Sequence, residues 1–337
     1  MANRQKLSRR DFLRMAGGAA AGVTLAKLPG VTASEPQAKP QPQEAQMSFW
    51  APNCDVQCEH IKLPEWLERY REEVNPNVSF ELTGPPWGDY WTRLPLALAG
   101  GTGPDLYYFH TAWLTQFVDG GLVEPWPEER IVELREQVDG IDTFMIDDKL
   151  YTFQLERNIP LIYYNTAMWQ EAGLTEDDIP KSWADLADLA KVLTVKDSSG
   201  AMTRAGWDGN LRDGRWTWAV LKYQLGEFLF SESDEYRRIN AYTERGREAL
   251  QIMSEWEFGE EPLGNIDLSP WVEDAIPTGK AAMGFGFGWF ADYWRVDYPE
   301  FETWDTFALP TIGGETPPAA AHTGGEVAYS VNPQTTD

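Results

Sequence analysis

Polar and aromatic side chains that could bind a ligand are concentrated in a loop at residues 110–113, His-Thr-Ala-Trp. The loop follows residues 106–109, a short apolar run that predicts a buried parallel strand. In open α/β sheets, ligands bind just outside the carboxyl ends of the strands. Phe109, His110 and Trp113 are therefore the first candidates for a binding site.

Sequence motifs of common enzymes are missing. Neither GxSxG nor HExxH occurs, and the chain contains only three histidines. The glycines at 100–103 lack the Gly-Lys-Ser/Thr of a phosphate-binding loop, and those at 284–288 lack the spacing of a dinucleotide-binding loop. We predict no catalytic residue and no cofactor, although the many carboxylates leave a glycoside hydrolase open as a less favoured alternative.

The two cysteines, Cys54 and Cys58, lie four residues apart. This spacing fits no common zinc site even with His60 nearby, so we predict no metal site. In an oxidising compartment the two cysteines predict a local disulfide, which the spacing permits in a turn or a distorted first helical turn.

The chain of 337 residues is long enough for two domains and carries a formal net charge of −25 at pH 7. Residues 1–33 are net basic, so the acidic surplus lies in the remainder. A surface this acidic argues against a nucleic acid or an anionic membrane as the partner. Solubility or salt tolerance alone would also account for it.

An export signal is predicted at the N-terminus. Arg9 and Arg10 lie in SRRDFLR, which resembles the twin-arginine export motif, and a Gly/Ala-rich run and a small-residue cleavage site ending at Ala33 follow. The run is too short and too rich in glycine to span a membrane. We expect residues 1–33 to be a signal peptide read by the twin-arginine translocase, and the Pro/Gln-rich residues 34–46 to be a flexible linker.

Predicted strands and helices alternate in the next part of the chain. A strand at 47–50, a helix at 61–74, a strand at 78–82, a helix at 90–98 and the strand at 106–109 favour a parallel doubly wound sheet. Further predicted elements are a hairpin at 144–153, strands at 161–165, 281–287, 305–309 and 327–331, and helices at 113–119, 166–172, after Ser182, in two pieces within 207–260, and at 271–276.

Four sets of segments carry a resemblance to a known family. They are AGGTGPDL from 99 with GGLVEP from 120; DKLY from 148 with IYYN from 162 and PKSW from 180; TGKAAM from 278 with GW from 288; and LP from 309 with GG from 324. In this order and spacing, over residues 47–333, they resemble the extracellular solute-binding proteins of ABC importers, in the group that includes maltose-binding protein.

The resemblance implies a periplasmic-binding-protein-like α/β fold, with two lobes joined by hinge segments and the ligand cleft between them. Lobe 1 would span residues 47–156 and lobe 2 residues 157–321, with a hinge at 157–160. The chain would return to lobe 1 at 322–337. Members of the family continue with several helices beyond this point, so the resemblance also implies that C-terminal helices are missing here.

A sugar cleft needs flat aromatic rings for the apolar face of the ligand and charged or amide groups for its hydroxyls. The 16 tryptophans are an ample supply of rings. Residues 156–158 could alternatively form an ion-pair network between the lobes. Strand ends and the resemblance together predict these ligand-binding residues: Asn53, Asp55, Phe109, His110, Trp113, Glu156, Arg157, Asn158, Asp213, Arg215, Trp216, Trp289, Gly324, Gly325 and Glu326.

The resemblance implies a monomeric binding protein rather than an enzyme. It would capture a mono- or oligosaccharide outside the cytoplasmic membrane by hinge closure and deliver it to the permease subunits of an ABC importer. Alternatively, the same fold would bind a polyamine, iron or a small acid. The tyrosine pairs at 107–108 and 163–164 leave iron open, although their places within strands favour the core. A secreted glycoside hydrolase is the third alternative.

Overall fold

The computed structural model describes residues 45–54, 62–138, 140–153, 159–209, 214–229, 240–269, 271–314 and 327–335. All of these residues belong to one compact unit. The predicted signal peptide lies outside them, as do most of the predicted linker and half of the predicted hinge. Within the described ranges, no helix combines the length and the apolar character that a membrane span requires.

The first sheet contains four strands in the spatial order β11-β3-β1-β2. Strand β1 pairs in parallel with β2 and with β3, whereas β11 is antiparallel to β3. The alternation of strands and helices predicted for the first part of the chain is therefore confirmed. The elements that form this half are β1 (Ala45–Trp50), α1 (Leu63–Glu73), β2 (Val78–Thr83), α2 (Trp87–Ala99), β3 (Leu106–His110), α3 (Leu114–Asp119), α4 (Glu128–Gln137), the hairpin β4 (Met145–Ile146) and β5 (Lys149–Leu150), and β11 (Val327–Val331).

The second sheet contains five strands in the order β10-β6-β9-β8-β7. It is mixed, since β8 and β9 are parallel whereas the other pairs are antiparallel. The elements of this half are β6 (Pro160–Asn165), α5 (Thr166–Glu171), α6 (Trp183–Leu193), β7 (Val195–Lys196), β8 (Met202–Asp208), α7 (Arg215–Gln224), α8 (Glu244–Phe258), α9 (Val272–Ala275), β9 (Ala281–Phe287), α10 (Phe290–Asp297) and β10 (Trp304–Phe307).

Four elements were not predicted: the two-residue strand β7 and three longer elements, each of which has a weak local pattern. Helix α4 buries a single residue, Ile131, so its sequence has little amphipathic character. Strand β8 carries Arg204 and Gly206 among its apolar residues and lacks a clear alternation. Helix α10 begins three residues after β9 ends, which leaves little room for a turn signal between the two.

Glycines in β9 allow close packing of helices. A Cβ atom at Gly284 would overlap Val272 of α9, and a Cβ atom at Gly286 would overlap the ring of Phe290 at the start of α10. The alternating glycines of this strand therefore serve packing, which agrees with the prediction that they do not form a dinucleotide-binding loop.

A buried lysine joins α7 to α8. Lys222 is fully buried, donates to the carbonyl oxygen of Phe228 at 2.7 Å and forms an ion pair with Glu227 at 3.1 Å. Glu227 also accepts from Oγ1 of Thr243, the N-cap residue of α8, at 2.6 Å. Burial opposes ionisation of Glu227, but these hydrogen bonds outweigh it and lower the pKa of its carboxyl group. The network fixes the helix that begins at Arg215.

We expect Lys222→Ala to lower the free energy of unfolding by about 3 kcal/mol, because it leaves a partly buried carboxylate without its cation. Urea denaturation measures the change. Lys191→Ala is the matched control, since Lys191 forms an exposed ion pair with Asp188, and such a pair contributes about 0.5 kcal/mol. Equal losses for the two variants would contradict the assigned role of Lys222.

Candidate functional site

The end of β3 directs alternate side chains to two different surroundings. Tyr107 and Phe109 pack against Phe117 of α3, whereas Tyr108 and His110 contact Trp91 of α2. Phe109 is fully buried, so the prediction that it faces the ligand is wrong for this structure. It belongs to the core beneath the loop.

His110 and Trp113 lie together against a tryptophan that was not predicted. The Trp91 ring stacks on Trp113 with centroids 6.0 Å apart and an interplanar angle of 18°, and it meets His110 edge-on at 5.7 Å. Nδ1 of His110 accepts a hydrogen bond from the amide of Ala112 at 3.2 Å. All three rings are partly exposed. The aromatic residues on α2, at 87, 90 and 91, were the sequence signal that could have identified Trp91.

Asn53 lies near this group but has a structural contact. Its Oδ1 atom accepts from the backbone amide of Trp87, at the start of α2, at 2.7 Å. The residue adopts a left-handed conformation with φ of 47°, which asparagine tolerates better than most residues. Asn53 therefore holds the start of the helix that carries Trp91, and its contact with a ligand stays a prediction.

Three predicted residues lie around the end of β9 in the second sheet. The Trp216 ring contacts Phe287, the last residue of β9, at 5.6 Å, and the Arg215 guanidinium lies over the Trp216 ring at 5.1 Å. Trp289 follows β9, packs edge-on against Phe290 at 4.5 Å and remains 38% exposed. The structure thus gives this edge a cation and two aromatic surfaces.

Electrostatics connects the two groups. Burial and the positive charge of Arg215 lower the pKa of His110. Arg215 begins a helix of the second half of the molecule and His110 ends β3 in the first half, so this influence extends from one half to the other. Neutral His110 and cationic Arg215, with the surrounding tryptophan rings, form the candidate site.

Other predicted site residues fall outside the described ranges: Asp55, Glu156, Arg157, Asn158, Asp213, Gly324, Gly325 and Glu326. Cys54 is disulfide-bonded, and Cys58 also lies outside, so their pairing stays a prediction. Among the described residues, no group of three or more His, Cys, Asp or Glu side chains could hold a metal ion.

A separate cavity of about 670 Å³ runs between α7 and α8. Arg215 is the one residue of the candidate site that lines it, with Trp218, Arg247, Leu250 and Phe258 among the others. Its lining lacks the aromatic residues that follow β3 and β9. We therefore place the site at the strand ends rather than in this cavity.

Comparison with known protein families shows to which family the chain belongs. The family model described as bacterial extracellular solute-binding protein matches residues 61–335. The chain belongs to this family. The predicted resemblance is confirmed, and membership of an extracellular family of binding proteins places this solute-binding protein outside the cytoplasm.

Curated relatives match over a shorter segment. A binding protein of Brucella abortus (strain 2308) is 29% identical over 136 residues, which is 39% of this chain and 32% of the relative. A binding protein of Brucella suis biovar 1 gives the same values. The match therefore spans about a third of the length of these curated relatives.

Solved structures share the fold. An ABC transporter solute-binding protein from Thermotoga lettingae, bound with alpha-D-tagatose, aligns with a TM-score of 0.70 and 20% identity over 86% of this chain and 73% of its own. The maltose/maltodextrin-binding domain MalE of Bdellovibrio bacteriovorus, bound to maltotriose, aligns with a TM-score of 0.68 and 20% identity over 87% and 73%. The predicted periplasmic-binding-protein-like fold is thus confirmed.

The influence of Arg215 on the pKa of His110 leads to a spectroscopic prediction. In Arg215→Gln the pKa of His110 rises toward its ordinary value near 6.5, because one of the two influences that lower it is gone. Imidazole proton resonances followed by NMR against pH measure the change, and His110→Gln assigns the signal among the three histidines. Arg247→Gln, which removes an exposed cation elsewhere on the surface, leaves the pKa unchanged. An unaltered His110 titration in Arg215→Gln would refute the arrangement.

Proposed function

We propose that this protein captures a carbohydrate outside the cytoplasmic membrane and delivers it to the permease subunits of an ABC importer. The observation that carries the proposal is the stacked pair Trp91 and Trp113 beside His110 at the end of the first sheet, with Arg215 and Trp216 at the end of the second. Flat rings cover the apolar face of a sugar, and the polar groups of His110 and Arg215 bind hydroxyl groups with directional hydrogen bonds.

Structural neighbours support a sugar as the ligand. Besides the tagatose and maltotriose complexes, the GacH receptor of Streptomyces glaucescens, with a TM-score of 0.68, binds acarbose. These are a monosaccharide, an oligosaccharide and an oligosaccharide analogue. The ligand class is common to them although their sequences are only 17–20% identical to this chain.

The proposed mechanism involves no bond making or breaking. The site residues come from two sheets, so a rotation of the two halves about the predicted hinge at 157–160 would open and close the site. The closed form is selected by the ligand because only that form contacts it from both sides. We propose that the protein acts as a monomer and is exported by the twin-arginine route, through the signal containing Arg9 and Arg10.

Alternative ligands are less well supported. The Tyr107 hydroxyl donates to the carbonyl oxygen of Leu122 at 2.8 Å and that of Tyr163 to Phe287 at 2.7 Å, and burial raises the pKa of both. Neither tyrosine is therefore arranged as an iron ligand. The cation at Arg215 disfavours a polyamine. Membership of a family of binding proteins favours capture of a sugar over its hydrolysis.

A thermal-shift screen against mono-, di- and trisaccharides tests the proposal. A ligand present at about 100 times its Kd stabilises the protein by about 2.7 kcal/mol, which raises the Tm measurably. Hits are then measured by isothermal titration calorimetry. The absence of binding to every sugar in a broad panel would count decisively against the proposal.

The stacking pair has its own test. Trp113→Ala weakens sugar binding by about tenfold, because one face of the ligand loses its aromatic contact. The circular dichroism spectrum stays unchanged, since Trp113 is partly exposed. Trp66→Ala is the matched control, because Trp66 on α1 is 59% exposed and lies outside the site. Unchanged affinity in the Trp113 variant would remove the pair from the site.

A further inference from the structure

Trp289 lies in the turn between β9 and α10, and its ring has two aromatic neighbours. It packs edge-on against Phe290, with ring centroids 4.5 Å apart, and against Tyr293, with centroids 6.1 Å apart. Phe290 is fixed in place, because it is buried and packs closely on Gly286 of β9. Tyr293 is only partly buried, so its orientation depends on a further contact.

A carboxylate provides that contact. The hydroxyl of Tyr293 donates to Oδ1 of Asp274 at 2.8 Å, and the hydroxyl of Tyr298 donates to the same oxygen at 2.7 Å. Hydrogen bonds to a carboxylate are stronger than those between neutral groups. Burial and the contacts with Asp274 raise the pKa of both tyrosines, that of Tyr298 to about 12. Both hydroxyls therefore keep the proton that they donate at neutral pH.

The packing of α9 on β9 holds Asp274 in turn. Val272, two residues before Asp274, is buried, and a Cβ atom at Gly284 of β9 would overlap it. Helix α9 thus approaches the strand closely because position 284 is a glycine. Contacts therefore run from β9 through α9 to Tyr293 and then to Trp289, at the end of the same strand.

The orientation of the Trp289 ring matters because of its position. The residue follows the carboxyl end of β9, where ligands bind in α/β sheets, and 38% of its surface is exposed. An aromatic ring covers the apolar face of a sugar only when its plane is held in the matching orientation. A ring that is fixed before the ligand arrives also lowers the entropic cost of binding.

We infer that Asp274 is a positioning residue for ligand binding, which through the hydroxyl of Tyr293 holds the Trp289 ring in the orientation that it presents to the sugar. The inference rests on the proposed function and adds to it two residues that act through Trp289. It also separates Tyr293, which contacts Trp289, from Tyr298, which makes the same kind of hydrogen bond but packs on Tyr293, at 6.0 Å.

Fluorine NMR of the protein labelled with 5-fluorotryptophan tests the position of the ring without a ligand. Trp289→Phe assigns one of the 16 tryptophan signals to Trp289. We expect Tyr293→Phe and Asp274→Ala to shift this signal, because the ring loses its fixed neighbour. Asp274→Asn leaves the signal in place, since the amide oxygen still accepts the hydrogen bonds. Tyr298→Phe also leaves it in place.

Isothermal titration calorimetry with maltotriose, tagatose and any other sugar that binds the wild-type protein measures the consequence. Tyr293→Phe and Asp274→Ala weaken binding by about fivefold, which is the scale of one aromatic contact. Asp274→Asn and Tyr298→Phe change the affinity by less than about twofold. Tyr298→Phe is the matched control, because each tyrosine variant loses one hydrogen bond to the same carboxylate and thermal unfolding gives similar losses of Tm.

Equal losses of affinity in Tyr293→Phe and Tyr298→Phe would overturn the inference, because they would indicate a general loss of stability. An unchanged Trp289 signal in Tyr293→Phe would overturn it as well. If Trp289→Ala binds sugar as tightly as the wild type, the ring lies outside the site, and the inference fails while the proposed function stands. Failure of every sugar to bind would overturn the proposed function and the ligand role of Trp289, and the fluorine signals would still decide whether Asp274 orients the ring.

Discussion

In each sheet, the strand ends that precede the candidate site are held in place by a hydrogen bond from a buried tyrosine hydroxyl. The hydroxyl of Tyr90, a fully buried residue of α2, lies 3.0 Å from the carbonyl oxygen of Trp50 in β1 and 2.8 Å from that of Tyr108 in β3, and its one proton is shared between these two acceptors. Tyr163 donates to Phe287 at the end of β9. Carbonyl groups buried at the ends of strands are costly when unpaired. Because these bonds also fix the neighbouring helix and strand, the loops that follow begin from defined positions.

Short-range sequence patterns predicted many of the helix starts, turns and strands that surround these hydrogen bonds. Ser182 and Asp185 exchange hydrogen bonds in the capping box that their spacing predicts at the start of α6. Asp147 and Asp148 adopt the positive φ values of the predicted hairpin turn. These features involve residues within a few positions of each other, so the sequence contains all the information that they need. Strands β3, β9 and β11 were likewise predicted within two residues of their observed ends.

The arrangement of the candidate site depends on contacts between residues that are far apart in the sequence, and local patterns do not predict such contacts. Residues 106–109 are all apolar, so no alternation indicates which side chain faces the core, and Phe109 was wrongly assigned to the ligand. The stacking of Trp91 on Trp113 requires the crossing position of α2 over β3, and the influence of Arg215 on His110 involves both halves of the molecule. Each of these features depends on long-range packing rather than on local pattern.

Charge acts on two length scales in this protein. The net charge of −25 describes the surface as a whole, and it repels anions at a distance. That repulsion decays over a Debye length of about 8 Å at physiological salt. Since eight described arginines are already paired, little of the basic charge is left to act at the surface. The charge that a ligand meets at the candidate site is therefore set by the side chains that lie there rather than by the overall field.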